Sequence, residues 1–289
     1  MGMEKREFQI DKQKAMTYLA TRQAGELSKA CLEGVMNSID AGATRCEISV
    51  DSRMLKISDN GRGFSSLGDI DKLFGTFAWD HDTSEKKVYG EFGLGRGQML
   101  YFGPNVWYTK GFKIQSDFMK EQTYGRGESD RPYVDGCVIE ITLNKRLLPS
   151  EIIDLKNGIK KMVRYVPIAV KVNGETVSTN PAEQKWDYDT PDAWIKLRET
   201  GDVDVYNLGV FVRGYSNHQY GTGAVVVSKK QLRMNLSRND VMVNECGVWK
   251  RIRKFLNRKA TEANLKFPAI NGGDLARGRK AASSFLVGL

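Results

Sequence analysis

Three segments decide the reading of this chain: ELSKACLEGVMNSIDAGA at 26–43, SDNGRGF at 58–64 and GEFGLGRGQ at 90–98. In the first, Leu27, Ala30, Cys31, Val35 and Ile39 recur at spacings of three to four, the signature of one broad helical face. The pattern reaches back to Met16 and predicts a helix from Met16 to Ala41, ended by Gly42. Glu33 and Asn37 lie one turn apart and Asp40 three residues on, so all three are expected on one side, opposite the apolar stripe. A carboxylate there can take a proton from an attacking water, and an amide oxygen one turn away can ligate a divalent cation held on phosphates. Taken alone, the same pattern also fits an ordinary solvent-facing helix side.

The second segment ends a strand with Asp59, an acceptor suited to an exocyclic amine, while Gly61 and Gly63 let backbone approach a planar base closely. By itself it also reads as a simple turn. The third offers backbone N–H groups from Gly93, Gly95 and Gly97 ahead of an apolar, helical run, which suits a phosphate cradle. It is neither a dinucleotide fingerprint, which belongs between the first strand and helix of a βαβ unit, nor a Walker loop, since the Gly-Lys-Ser/Thr ending is missing.

Outward from these segments, CEISVDSRMLKISDN at 46–60 alternates through Ile48, Val50, Leu55 and Ile57 and predicts two antiparallel strands. The stretch 65–98 is long and weakly periodic, as functional lids are. Strands are expected at 105–116 and 137–143, a helix at 150–166, and a hairpin turning at Asn173-Gly174. Strand character resumes from 204 to 241. Helices and strands alternate irregularly, which is α+β rather than a βαβ repeat. A boundary is expected between 165 and 185, giving a first domain at 1–165 and a second at 166–289.

Composition narrows the classes. With 40% hydrophobic residues the chain can build a core, so disorder is excluded. No run of eighteen apolar residues and no leader-like start are seen, so a cytoplasmic protein away from membranes is expected. Cys31, Cys46, Cys137 and Cys246 are too scattered for a zinc site or disulfide scaffold. The excess of 44 basic over 35 acidic residues raises a polyanion partner. That excess concentrates in 249–267 and 275–282, where a C-terminal helix carries Trp249, Ile252, Phe255 and Leu256 as an apolar stripe beneath Lys250, Arg251, Arg253, Lys254, Arg258 and Lys259.

In this order and spacing the three segments resemble the motifs of the GHKL superfamily, the Bergerat-fold ATPases that include gyrase, the large heat-shock chaperones, histidine kinases and MutL. The resemblance covers about residues 10–145 and implies an α/β sandwich binding Mg²⁺-ATP between helices and sheet. It implies Glu33 as general base, Asn37 as Mg²⁺ ligand and Asp40 as a supporting acid. It further implies Asp59 as adenine reader, Gly61 and Gly63 as base platform, and Gly90, Gly93, Leu94 and Gly95 as the phosphate-binding end of the lid. Where the family places a threonine for adenine, GCVIEITL puts Cys137, a poorer hydrogen-bonding partner.

Farther on, KKQLRMNLSRNDV at 229–241 resembles the middle-domain segment of the heat-shock chaperone ATPases. That implies a smaller transducer-like α/β domain whose Arg238 reaches the γ-phosphate, with Asn235 and Ser237 positioning its loop. Lys229, Lys230 and Arg233 are nearer to the lysine of the gyrase and MutL transducers. The only histidines, His81 and His218, do not sit on a helix ahead of the nucleotide segments, which disfavours phosphotransfer. The resemblance thus implies a nucleotide-gated switch or clamp that hydrolyses ATP and forms a homodimer with ATP bound. The alternatives are a DNA-binding clamp component or a nucleotide-sensing module without hydrolysis.

Overall fold

Gly25 divides the first helical stretch in two. The computed structural model describes residues 9, 11–76, 95–235 and 237–266. In place of the single helix expected from Met16 to Ala41, α1 (Lys12–Ala24) and α2 (Leu27–Asp40) are separated by Gly25 at φ 52°, ψ −126°. Such a backbone costs a side-chain-bearing residue dearly and breaks the helical hydrogen-bond ladder, and apolar spacing gives no sign of it.

The expected hairpin follows as β1 (Arg45–Val50) and β2 (Met54–Asp59). Next come α3 (Leu67–Leu73), α4 (Gly95–Tyr101), β3 (Asn105–Lys110), β4 (Phe112–Ser116), α5 (Phe118–Glu121), β5 (Gly125–Glu128) and β6 (Val134–Thr142). Then α6 (Pro149–Met162) crosses over to β7 (Ala169–Val172), which turns into β8 (Glu175–Thr176). Asn173 and Gly174, at φ 47° and 82°, make the turn between them, as the sequence predicts.

These strands form an eight-stranded sheet in the order β5-β4-β3-β6-β2-β1-β7-β8. It is antiparallel except where β7 lies parallel to β1. The sheet therefore runs on to Thr176, past residue 165, because Val170 and Val172 pack into the same core as Ile48 and Ile57. One face is apolar and covered by α2, α4 and α6; along β1, Cys46, Ile48 and Val50 point inward and Arg45, Glu47 and Ser49 point to water.

The second sheet has the order β12-β11-β13-β10-β9, built from β9 (Tyr188–Asp189), β10 (Ala193–Arg198), β11 (Val203–Asn207), β12 (Val210–Tyr215) and β13 (Gly223–Ser228). The architecture is α+β, as expected. On one face, Ile195, Val205 and Val226 pack against Trp249, Ile252 and Leu256 of α7 (Gly247–Lys266). On the other, Tyr206 meets Tyr165 edge to face at 4.8 Å. Tyr165 lies in the turn that leads from α6 to β7, so this contact joins the two sheets. No helix among the described residues is long and apolar enough to cross a membrane.

Candidate active site

Glu33 departs from the sequence expectation. It is buried, only 7% exposed, where a place on the open side of α2 was expected. The loop after β13 lies against it and brings Arg238 Nη1 to 3.6 Å from Glu33 Oε1. The same nitrogen lies 4.0 Å from Met36 Sδ. Burial pushes the Glu33 carboxyl up to about 7, with Arg238 opposing the rise and Asp40 adding to it. Asn37 and Asp40 follow on α2, both half-buried.

Arg238 is held with φ at 52°, a conformation that side-chain-bearing residues rarely adopt. Asn235 fixes it: its carbonyl accepts from the Arg238 N–H at 2.9 Å and its side-chain oxygen accepts from the N–H groups of Asn239 and Asp240. Asp240 in turn accepts from the Tyr215 hydroxyl at 2.6 Å and from Arg213, anchoring the loop to β12. Ser237 is exposed. The other cations of 229–233 are engaged elsewhere: Lys229 with Asp189, Lys230 with Asp192, and Arg233 with Glu245.

Asp59 ends β2 facing inward. Its Oδ1 accepts from the Gly61 N–H at 2.8 Å and its Oδ2 from the Ser38 hydroxyl at 3.1 Å. Burial raises its pKa, against the pull of those donors and of the Cys137 N–H. The loop that follows is pinned nearly residue by residue. Asn60 Oδ1 accepts from Thr44 and Arg45, the Arg62 N–H donates to Ala41, and the Phe64 N–H donates to Thr109 Oγ1. A Cβ on Gly61 would come within 2.8 Å of the Ala41 Cβ, and one on Gly63 within 2.6 Å of the Gly136 carbonyl. Contacts within the protein itself therefore leave no room for a side chain at either position.

Cys137 is buried beside Asp59, and burial lifts its thiol well above the usual range, leaving a neutral, weakly polar wall. Gly95 opens α4, which packs on α1 and α2. Gly90, Gly93, Leu94 and His81 lie outside the described residues. His218 sits in a short 3-10 turn at 217–219 of the second unit.

Sequence reading missed Ser38, Asn60 and Thr109. Ser38 donates both to Asp59 and to the Gly34 carbonyl, and its place beside Asn37 was the available signal. Thr109 lies far along the chain, and only sheet register places it by Gly63.

The arrangement unites a buried carboxylate with a pKa near neutrality, an amide one turn on, an acceptor flanked by glycines, and a guanidinium from another unit. The family model for histidine kinase-, DNA gyrase B- and HSP90-like ATPases matches residues 25–122. That segment is a GHKL-type ATPase domain, a class that binds Mg²⁺-ATP. The match takes in Glu33, Asn37 and Asp59 but stops short of Cys137 and Arg238. No curated protein matches the chain.

Proposed function

We propose that the chain binds Mg²⁺-ATP at this site, hydrolyses it, and uses the nucleotide to govern how the second unit sits on the first. The observation that carries this reading is the approach of Arg238 to Glu33 from a different sheet. Asp59 accepts from the adenine amine. The N–H groups of the glycine loop ending at Gly95 hold the phosphates. Asn37 supplies an oxygen to Mg²⁺, whose chemistry is to neutralise phosphate charge. Glu33, with its carboxyl near pH 7, takes the proton of the attacking water as the bond between the γ-phosphorus and its bridging oxygen breaks and ADP leaves. The Arg238 guanidinium carries charge to the terminal phosphate, so the second unit senses which nucleotide is bound. Association of two subunits on ATP binding follows from the family resemblance, and the mass of the protein in solution with and without an ATP analogue tests it.

Glu33→Ala tests the reading directly. It should keep ATP binding and lower turnover by at least the ~10²-fold that loss of a general base brings. Unchanged turnover would sink the assignment, and absence of turnover in the unaltered protein would leave a nucleotide-sensing module.

A second reading adds duplex DNA as partner, favoured by α7. Its apolar side is spent on the core, with Trp249 and Leu256 fully buried, so it has no greasy face for a lipid surface. Lys250, Arg253 and Lys254 face water with no ion-pair partner among the described residues, as sequence-independent phosphate contacts require. Titrating a duplex at two salt concentrations tests it, and binding that vanishes at physiological salt leaves the charge as a surface property.

A further inference from the structure

We infer that Thr109 is a positioning residue of the nucleotide site and that its hydroxyl holds the base-binding loop from the strand beside Cys137; this rests on the ATP reading. Sheet register sets Cys46, Asp59, Cys137 and Thr109 in one rung across β1, β2, β6 and β3. All four belong to the face that packs under α2. Two thiols thus flank the aspartate, and the hydroxyl comes one strand later than the family pattern puts it.

Thr109 is wholly buried, and both capacities of its hydroxyl are used. It accepts from the Phe64 N–H at 2.9 Å and donates to the Gly136 carbonyl at 2.9 Å. One oxygen therefore ties the far end of the 59–64 loop to the start of the β6 wall. Its surroundings leave no slack. Gly63 and Gly136 have φ of 60° and 76°, and a Cβ on Gly136 would overlap the Asp59 carbonyl. The β3–β6 pairing is irregular at this point, jumping from Thr109↔Cys137 to Lys110↔Val134, with Lys110 at φ 51°. Bulges of this kind re-aim a side chain beside active sites at a cost in backbone strain. Here the bulge falls next to the residue whose hydroxyl gathers the loop, Asp59 and the Cys137 strand. Thr109 acts through Phe64, Gly63 and Gly136 on the height of the platform beneath the base.

The test compares Thr109→Val with Thr109→Ser in the full chain, reading KM and kcat for ATP, affinity for ADP and the thermal midpoint. Valine keeps the volume and deletes the bridge, whereas serine keeps the bridge. The expected result for Thr109→Val is KM for ATP and Kd for ADP raised about ten-fold, the loss of one well-placed hydrogen bond, with kcat within two-fold. Thr109→Ser should restore both. Should valine prevent folding, Thr109→Cys, with a weak donor of similar size, should raise KM by an intermediate factor. Thr109→Val with a lowered midpoint but unaltered nucleotide affinity, or a serine variant as impaired as the valine, would overturn the inference. Asp59→Asn separates this from failure of the ATP reading: undiminished ATP affinity in that variant would mean that the base is held elsewhere, whatever Thr109 does.

Discussion

Arg238 Nη1 lies 3.6 Å from Glu33 Oε1, across the junction between the loop after β13 and helix α2. Each partner owes its position to a different core: Glu33 to the helix that covers the eight-stranded sheet, Arg238 to a loop fastened on β12 through Asp240 and Tyr215. The side chains are only 10% and 24% exposed, so their attraction is far less screened than that of a surface pair. Burial nevertheless dominates, and it leaves the carboxyl near neutrality.

That balance has a consequence for stability. In the unfolded chain Glu33 ionises near 4.5, and in the folded chain near 7. Between those values the folded protein keeps a proton that the unfolded chain has lost. The contribution of Glu33 to stability is thus full below about 4.5 and lost as pH rises through about 7. Glu33→Gln, which does not ionise, should be more stable than the unaltered protein at pH 8 by on the order of 3 kcal/mol, with the difference gone at pH 4. Urea unfolding at the two pH values checks it, and equal stabilities at pH 8 would show that Glu33 is not held in this environment.

Arg238 is the group that pulls the Glu33 carboxyl downward. Arg238→Ala should therefore raise its pKa further and move the acid limb of the pH–rate profile to higher pH. Hydrolysis should slow while ADP affinity is kept, because the guanidinium lies at Glu33 and not at Asp59. An unmoved limb would dissociate the pair from catalysis, and an equal loss of ADP affinity would contradict a γ-phosphate role.

Much of this was legible in the sequence where the information is local. The alternation in 46–57 fixed the hairpin, Asn173-Gly174 its turn, and the spacing of Trp249, Ile252 and Leu256 the buried stripe of α7. What escaped depends on neighbours distant in the chain. Periodicity describes one helix and so places Glu33 only as far as the side opposite the apolar stripe, whereas its contact with Arg238 comes from a loop of the second unit. Thr109 reaches Gly63 only through register across three strands, and the membership of β7 in the first sheet depends on pairing with β1 across the α6 crossover. Gly25 breaks the helix by its own backbone angles, which an apolar pattern spanning the break conceals.

Asp192 should be a stability determinant of the second unit. Its carboxylate accepts two hydrogen bonds from Arg251, at 2.6 and 2.9 Å, and one from Lys230 at 2.8 Å. Arg251 is the main cause that holds the acid well below the usual carboxylate range. These bonds tie α7 to the start of β10, although both cations are more than half exposed and solvent weakens their pull. Asp192→Asn should cost about 1–3 kcal/mol at pH 7. With the folded pKa lowered, the ionic part of that contribution is present above the unfolded value near 3.8 and lost as pH falls through the folded one. Chemical denaturation followed by tryptophan fluorescence, with Trp249 on α7 as a reporter, checks it; a variant as stable as the parent would make the cluster a surface ornament.

The polyanion reading turns on Lys250, Arg253 and Lys254, which project from α7 away from its packed stripe. If each neutralises one phosphate of a duplex, replacing all three by glutamine should make the slope of log K against log salt shallower by about 2.7, at roughly 0.9 per contact. The affinity loss should be the same for unrelated sequences, since phosphate contacts position a protein without reading bases. ATP turnover without DNA should be unaffected, because α7 packs on the second sheet and touches neither Glu33 nor Asp59. Fluorescence anisotropy with two unrelated duplexes across a salt series gives both slopes. A slope unchanged by the triple substitution would remove α7 as the contact surface, and a loss confined to one duplex would point to base readout elsewhere on the protein.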